Sequence, residues 1–368
     1  MPTTLTGTDQ SGLVGTKKVF IAGVNVAAVV AGVPATAVAN VSHNTPGQTF
    51  NNIRFARVNG NVADLTYNDC YFEGDDTDNP IYTATNINAK RIKFNRCVFS
   101  PKFIRNRNAF NGHDLEFYDC LIEKTTDGIS VNNSNQFNAT GAGWQCGIIL
   151  RRTMIRRLTK WTANARGIVH PSDTISHNDG IQLFGGLGMD IEDSVIDARP
   201  ARQAGHLWLM DSSGHVFTEA EAYNLPDTYE PISVPMGSLP DGGPYAFAGD
   251  STHPARALPW EDNGTGLLSR GRINGPDNAC LMFGTVSQGY TGEHRIVNTL
   301  FLGGQYAFNG GGNPSPGGTA SMGLYDGLVF DKSQAVQGQT VNFGGTWTGR
   351  ATVTNCSYID GTAITVRY

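Results

Sequence analysis

Charge is scarce in this chain. Only 16% of its 368 residues are Asp, Glu, Lys or Arg, and the formal net charge is -5. So mild an acidity argues against nucleic acid as a main partner, because duplex binding draws its affinity from clustered cations. Long apolar runs are missing too. No stretch reaches the roughly 18 residues a membrane helix requires, and Val19 to Ala39 is interrupted by Asn25, Gly32 and Pro34, which predicts short strands and turns there. The start, Met1-Pro-Thr-Thr-Leu-Thr-Gly-Thr-Asp, has no basic segment leading into an apolar one, so no signal peptide is read. An extracellular role would then require lysis, a virus particle or a signal-free route. Neither CxxC pairs nor Cys/His spacings suited to zinc occur among the six cysteines.

What is abundant is glycine, 45 residues, together with 10% aromatics. That combination describes a turn-rich β protein with enough apolar mass for a continuous core, not a disordered chain. A ten-residue phrase organises it. Leu65-Thr-Tyr-Asn-Asp-Cys70-Tyr-Phe-Glu-Gly74 is followed by Ile92-Lys-Phe-Asn-Arg-Cys97-Val-Phe-Ser-Pro101 and by Leu115-Glu-Phe-Tyr-Asp-Cys120-Leu-Ile-Glu-Lys124. Weaker copies run Ile149 to Met154, Met189 to Ser194, His294 to Thr299 and Ala351 to Cys356. Apolar residues alternate in the first half, the period of a strand with one buried face. Recurrence at a few tens of residues predicts one turn of a solenoid per copy. Cys70, Cys97, Cys120 and Cys356 share one slot, so they are expected to stack inside the coil as free thiols acting as small apolar fillers.

A second phrase accompanies the first: Asn79-Pro-Ile-Tyr, Asp127-Gly-Ile-Ser-Val, Cys146-Gly-Ile-Ile-Leu, Asp179-Gly-Ile-Gln-Leu, Asn278-Ala-Cys-Leu-Met and Thr362-Ala-Ile-Thr-Val. It reads as another strand of each coil, opened by a turn residue that tolerates left-handed backbone. The expected organisation is a cap or docking segment over 1–50, coils over 51–198, a long acidic, Pro- and aromatic-rich insertion over 199–262, and further coils over 263–368. The insertion reads either as a lid or as a ligand wall. Residues 148–166 fit strand plus loop, with Met154 in the ladder slot, or a basic amphipathic helix. Gly-rich 303–318 has no strand-to-helix context for phosphate binding.

These stacked strands resemble the right-handed parallel β-helix superfamily, which includes pectate lyases, polygalacturonases and bacteriophage tailspikes. The resemblance covers about residues 50–368 and implies an all-β solenoid. It also implies sugar binding along one face, with side chains of successive coils about 4.8 Å apart. Ser176-His-Asn-Asp-Gly-Ile-Gln182, followed by Phe184-Gly-Gly186, looks like a phrase found in β-helix proteins of phage tails and secreted bacterial proteins. The candidate catalytic residues are therefore Asp179, His177 and Asp127, with Gln182, His206 and Trp208 as candidate substrate-binding residues. Alternation would turn Gln182, Asp179 and His177 outward and set Asp127 and Asp179 about two rungs, ~10 Å, apart. That separation exceeds the ~6.5–9.5 Å of an inverting glycosidase pair.

The alternative reading of both aspartates is as turn residues before Gly. Polygalacturonase and pectate lyase signatures are absent: Asn178-Asp179 is adjacent, not Asn-x-Asp, Gly205-His206 lacks its second Gly, and Arg91-Ile92-Lys93 precedes the Asp. Two functions remain open. One is a phage tail-tip or tailspike protein that binds host-surface glycan, docks to other tail proteins through its N-terminal segment, and assembles as a homotrimer. The other is an extracellular polysaccharide lyase or hydrolase. Neither calls for a cofactor or metal, and no Asp/Asn cluster fixes a calcium site.

Overall fold

The structure, a computed structural model, describes residues 3–4, 21–22, 24–75, 79–86, 88–101, 108–123, 125, 127–132, 147–156, 158–160, 179–184, 189–197, 202–203, 279–283, 294–302, 306–309, 323–330, 341–342, 351–358, 361–364 and 366–367. Three long sheets, every strand parallel to its neighbours, wind together as a right-handed β-helix. Sheet 1 has nine strands, from Thr49–Asn51 to Ala351–Thr354. Sheet 2 also has nine, from Arg54–Phe55 to Ser357–Tyr358, and sheet 3 has ten, from Val41–His43 to Val366–Arg367. Each coil visits the sheets in that order. The stack begins with Val41–His43, inside the segment expected to be a cap.

Two further elements lie N-terminal to it. Thr3–Thr4 and Ile21–Ala22 form an antiparallel pair. Val26–Gly32 is a helix, α1, where short strands were expected. Its Ala- and Val-rich run is started by Asn25, whose side chain accepts from the Ala28 N–H at 3.1 Å, and Pro34 two residues past Gly32 cannot extend it.

Columns of like side chains fill the interior. In sheet 1, Phe50, Tyr67, Phe94 and Phe117 stack with successive centroids 5.0 Å apart. In sheet 2, Phe55, Phe72 and Phe99 stack at 5.3 and 4.3 Å. The middle coils substitute Leu150, Ile155, Ile191 and Ile196, all buried, and aromatics return with Phe301, Phe308, Tyr325 and Phe330. Edge-to-face contacts between columns, such as Tyr82 on Phe94 at 5.0 Å, tie the sheets together.

The corner from sheet 1 to sheet 2 is what the repeated phrase encodes. It is two residues long in every coil. The first is left-handed: Asn52, Asp69, Arg96, Asp119, Arg152, Asp193, Asn298, Gly327 and Asn355 all have φ between 46° and 66°. The second residue is the slot, and Cys70, Cys97 and Cys120 occupy it as buried free thiols, as expected. The slot is nevertheless more than a filler. Turning the corner directs the slot N–H away from the regular ladder, and the next coil's side chain receives it. Cys97 N–H donates to Cys120 Sγ (3.4 Å), Cys120 N–H to Thr153 Oγ1 (3.3 Å) and Thr153 N–H to Ser194 Oγ (3.2 Å). Each slot X–H in turn donates to the carbonyl two residues back, for example Thr153 to Arg151 (3.2 Å), Ser194 to Glu192 (2.9 Å) and Thr299 to Val297 (2.9 Å). Cys, Ser or Thr fills seven of the nine slots, each small and carrying both a donor and an acceptor, while Ile53 and Leu328 fill the other two with apolar side chains. Burial pushes the Cys97 thiol well above its ordinary value, so it remains a donor.

This geometry corrects one register. Leu115 pairs with Ile148 and Leu121 with Met154, so Thr153 is the slot and Met154 lies outside it. Ile148–Arg151 and Met154–Arg156 are strands, in agreement with the strand reading of this basic segment.

Candidate functional site

The three outer faces of the solenoid differ in chemistry. Sheet 1 carries charge that is consumed internally: Lys93 pairs with Glu116 (3.3 Å), Arg295 with Asp190 (2.9 Å) and Glu192 (2.8 Å), and Arg151 with Asp190. Its N-terminal end is an amide ladder, Asn51–Asn68–Asn95, with 2.8 Å steps. Sheet 2 carries an apolar stripe, Val98, Leu121, Met154, Val195, Leu300 and Val329, each at most 6% exposed and clustered with Val29 of α1. The inward neighbours of these residues, such as Phe99 and Ile122, belong to the main core.

Over its first six rungs sheet 3 is neither charged nor apolar outside. In register down its centre stand Ser42, Asn59, Thr83, Asn111, Ser130 and Gln182. The same register continues at Met282, Asn309 and Asn342 before ending on Arg367. The flanking positions point inward, giving the alternating burial of Val58-Asn59-Gly60 and Tyr82-Thr83-Ala84. Asn59 reaches Ser42 at 3.5 Å, and in the next outward column Asn61 donates to Asn44 at 3.1 Å. The Asn111 side-chain oxygen is buried without a hydrogen-bond partner among the described residues. Connections on both sides of sheet 3 vary widely in length, from two residues (56–57 and 113–114) to 81 (198–278), whereas the corner opposite never varies. Length variation collects where a scaffold presents function.

Among the candidate site residues, Gln182 stands on this face, half-buried. Asp127 and Asp179 do not. They sit at the corner entering sheet 3, at 4% and 0% exposure. Their carboxylates hold the coils together: Asp127 Oδ1 accepts the Asp179 N–H at 3.1 Å, and Asp179 Oδ1 accepts the Ala279 N–H at 2.8 Å. The expected outward orientation of Asp179 is thus replaced by an inward one. The expected two-rung separation becomes one, since Ile129 pairs directly with Ile181. The intervening Cys146-Gly-Ile-Ile-Leu phrase supplies a strand of sheet 1, Ile148–Arg151, and not of sheet 3.

Glycine follows each aspartate for a reason other than left-handed backbone, because neither Gly128 nor Gly180 has positive φ. A Cβ on Gly128 would lie 2.4 Å from Gly180 O, and one on Gly180 would lie 2.6 Å from Cys280 O. Asp-Gly is therefore a coil-joining device: an acceptor for the next coil's amide, then a residue without a side chain where the coils touch. His177, His206 and Trp208 lie outside the described residues, as does the insertion apart from Arg202–Gln203, which pairs with Thr159–Lys160. No cluster of His, Cys, Asp or Glu fit to hold a metal ion occurs among the described residues.

Comparison of the chain with models of known protein families, with curated proteins and with solved structures finds no match. The chemistry of the solenoid's faces is therefore what bears on function.

Proposed function

We propose that this chain is a bacteriophage tail protein, a tail-tip or spike component that recognises a host-surface glycan, with sheet 3 as the recognition face. The observation that carries this reading is the outer column from Ser42 to Gln182: hydroxyls and amides repeated on successive rungs. A linear polyhydroxylated polymer is matched by a linear array of donors and acceptors on a rigid support. A continuous stacked core of buried aromatics supplies that rigidity. The segment before the first coil, which contains α1 and the small antiparallel pair, is the docking piece toward other tail proteins, and the working assembly is a homotrimer on the virion.

The depolymerase alternative loses support at its carboxylates, since both are buried and engaged with backbone amides. A glycan array read both for retained protein and for new reducing ends separates the two. Retention without new ends is expected. Release of oligosaccharide that Asp179→Asn abolishes would put the enzyme in its place. Removal of residues 1–37, which takes away the antiparallel pair and α1 and spares every coil, is expected to yield a folded trimer by light scattering that fails to join tails. Normal incorporation would count against docking through this segment.

A further inference from the structure

We infer that the glycan taken by the sheet 3 face is uncharged. This deepens the reading just proposed and rests on it. From Ser42 to Gln182 the central outer register of sheet 3 contains no ionisable residue, over six successive rungs. In the neighbouring column Asn61 donates to Asn44, again an amide pair. A polymer bearing a carboxylate on each residue would need cations at comparable spacing, either Arg or Lys side chains or bound metal ions. Sheet 1 shows that this chain does place arginine and lysine on outer rungs, but there Arg151, Arg295 and Lys93 are already neutralised by Asp190, Glu192 and Glu116.

On sheet 3 the available groups are neutral donors and acceptors, which pair with sugar hydroxyls and give no Coulombic reward for carboxylates or sulfates. Asn111 strengthens the assignment. Its side-chain oxygen is buried with no hydrogen-bond partner among the described residues, an unmet acceptor that would gain if a ligand hydroxyl or bridging water were admitted to it. Binding through neutral hydrogen bonds has a recognisable signature: little dependence on ionic strength and none on divalent cations.

The test is retention of the full chain on immobilised neutral polymers (dextran, mannan, galactan) and acidic ones (polygalacturonate, alginate, hyaluronate), at low and high salt and with a chelator. The expected result is retention on at least one neutral polymer above every acidic one, unchanged by salt or chelator. Gln182→Ala and Asn111→Ala, checked for native circular dichroism, should each weaken retention about tenfold, the equivalent of roughly 1.4 kcal/mol. Lys93→Gln, on sheet 1, should leave it unchanged. Stronger retention on an acidic polymer, lost in salt, would overturn the neutral-ligand inference while leaving glycan recognition standing. Retention on none would overturn both, and wild-type retention by both sheet 3 variants would remove the site from this face.

Discussion

Thr153→Val isolates the corner ladder with almost no change in volume. The hydroxyl it removes accepts from the Cys120 N–H at 3.3 Å and donates to the Arg151 carbonyl at 3.2 Å, and Thr153 is 0% exposed. Two buried bonds disappear together. The bond to the Arg151 carbonyl contributes about 1 kcal/mol net, and the Cys120 amide, left buried with no acceptor, costs about 1–3 kcal/mol. A total loss of roughly 2–4 kcal/mol follows, against a small gain from the added methyl. Thr153→Ser keeps both bonds and loses one methyl, so it should cost only about 1 kcal/mol. Because a repeat stack need not unfold in one step, the urea midpoint should be read together with hydrogen exchange at Cys120. That amide should exchange faster in Thr153→Val and remain protected in Thr153→Ser. Equal midpoints and equal protection in the two variants would refute the ladder and return the slot to simple space filling.

Gly180→Ala should cost roughly 2–3 kcal/mol by denaturation, since its Cβ would press on Cys280 O at 2.6 Å and on Ile196 at 2.5 Å. Gly361→Ala, where nothing lies within 4 Å but φ is +84°, should cost only about 1–2 kcal/mol of backbone strain. The buried His294, whose Nδ1 accepts the Met189 N–H, is held down to about 4 by burial. The unfolded chain therefore takes up this proton first as pH falls. Stability is full above pH ~6.5 and drops by roughly 2 kcal/mol on the way to pH 5, before carboxylates titrate. His43, also lowered by burial, acts in the same direction. His294→Asn should flatten this slope in urea titrations at several pH values. A double-mutant cycle on the exposed Asp69–Arg96 pair, 2.7 Å apart, should return under 1 kcal/mol and shrink in salt.

The coil was legible because the slot at Cys70, Cys97 and Cys120 follows a left-handed residue at a fixed distance, and the phrase repeats both. In one copy the reading slipped by one: Thr153 resembles a polar outward residue, and Met154 beside it resembles the apolar filler, whereas Ser194 and Thr299 were read in their true slots. The stripe Val98–Leu121–Met154 was hidden for a related reason. Sheet 2 strands are two or three residues long, so an outward apolar residue beside an inward one gives no alternation to read. Of the candidate site, Gln182 was placed correctly by alternation. Asp179 was not, because the bend at Gly180 turns its side chain inward toward the next coil's amide. The helix at Val26–Gly32 is too short for periodicity to reveal. The sheet 3 column became visible only once strands as distant as Ser130 and Gln182 were paired.

The unvarying two-residue corner has a consequence for how such a rod can change its length. Excising 97–119 would fuse Arg96 to Cys120, one left-handed residue to one slot, with neither neighbour able to tell that a turn had gone. A ruler of this kind can be shortened or extended by whole graduations while its markings stay aligned.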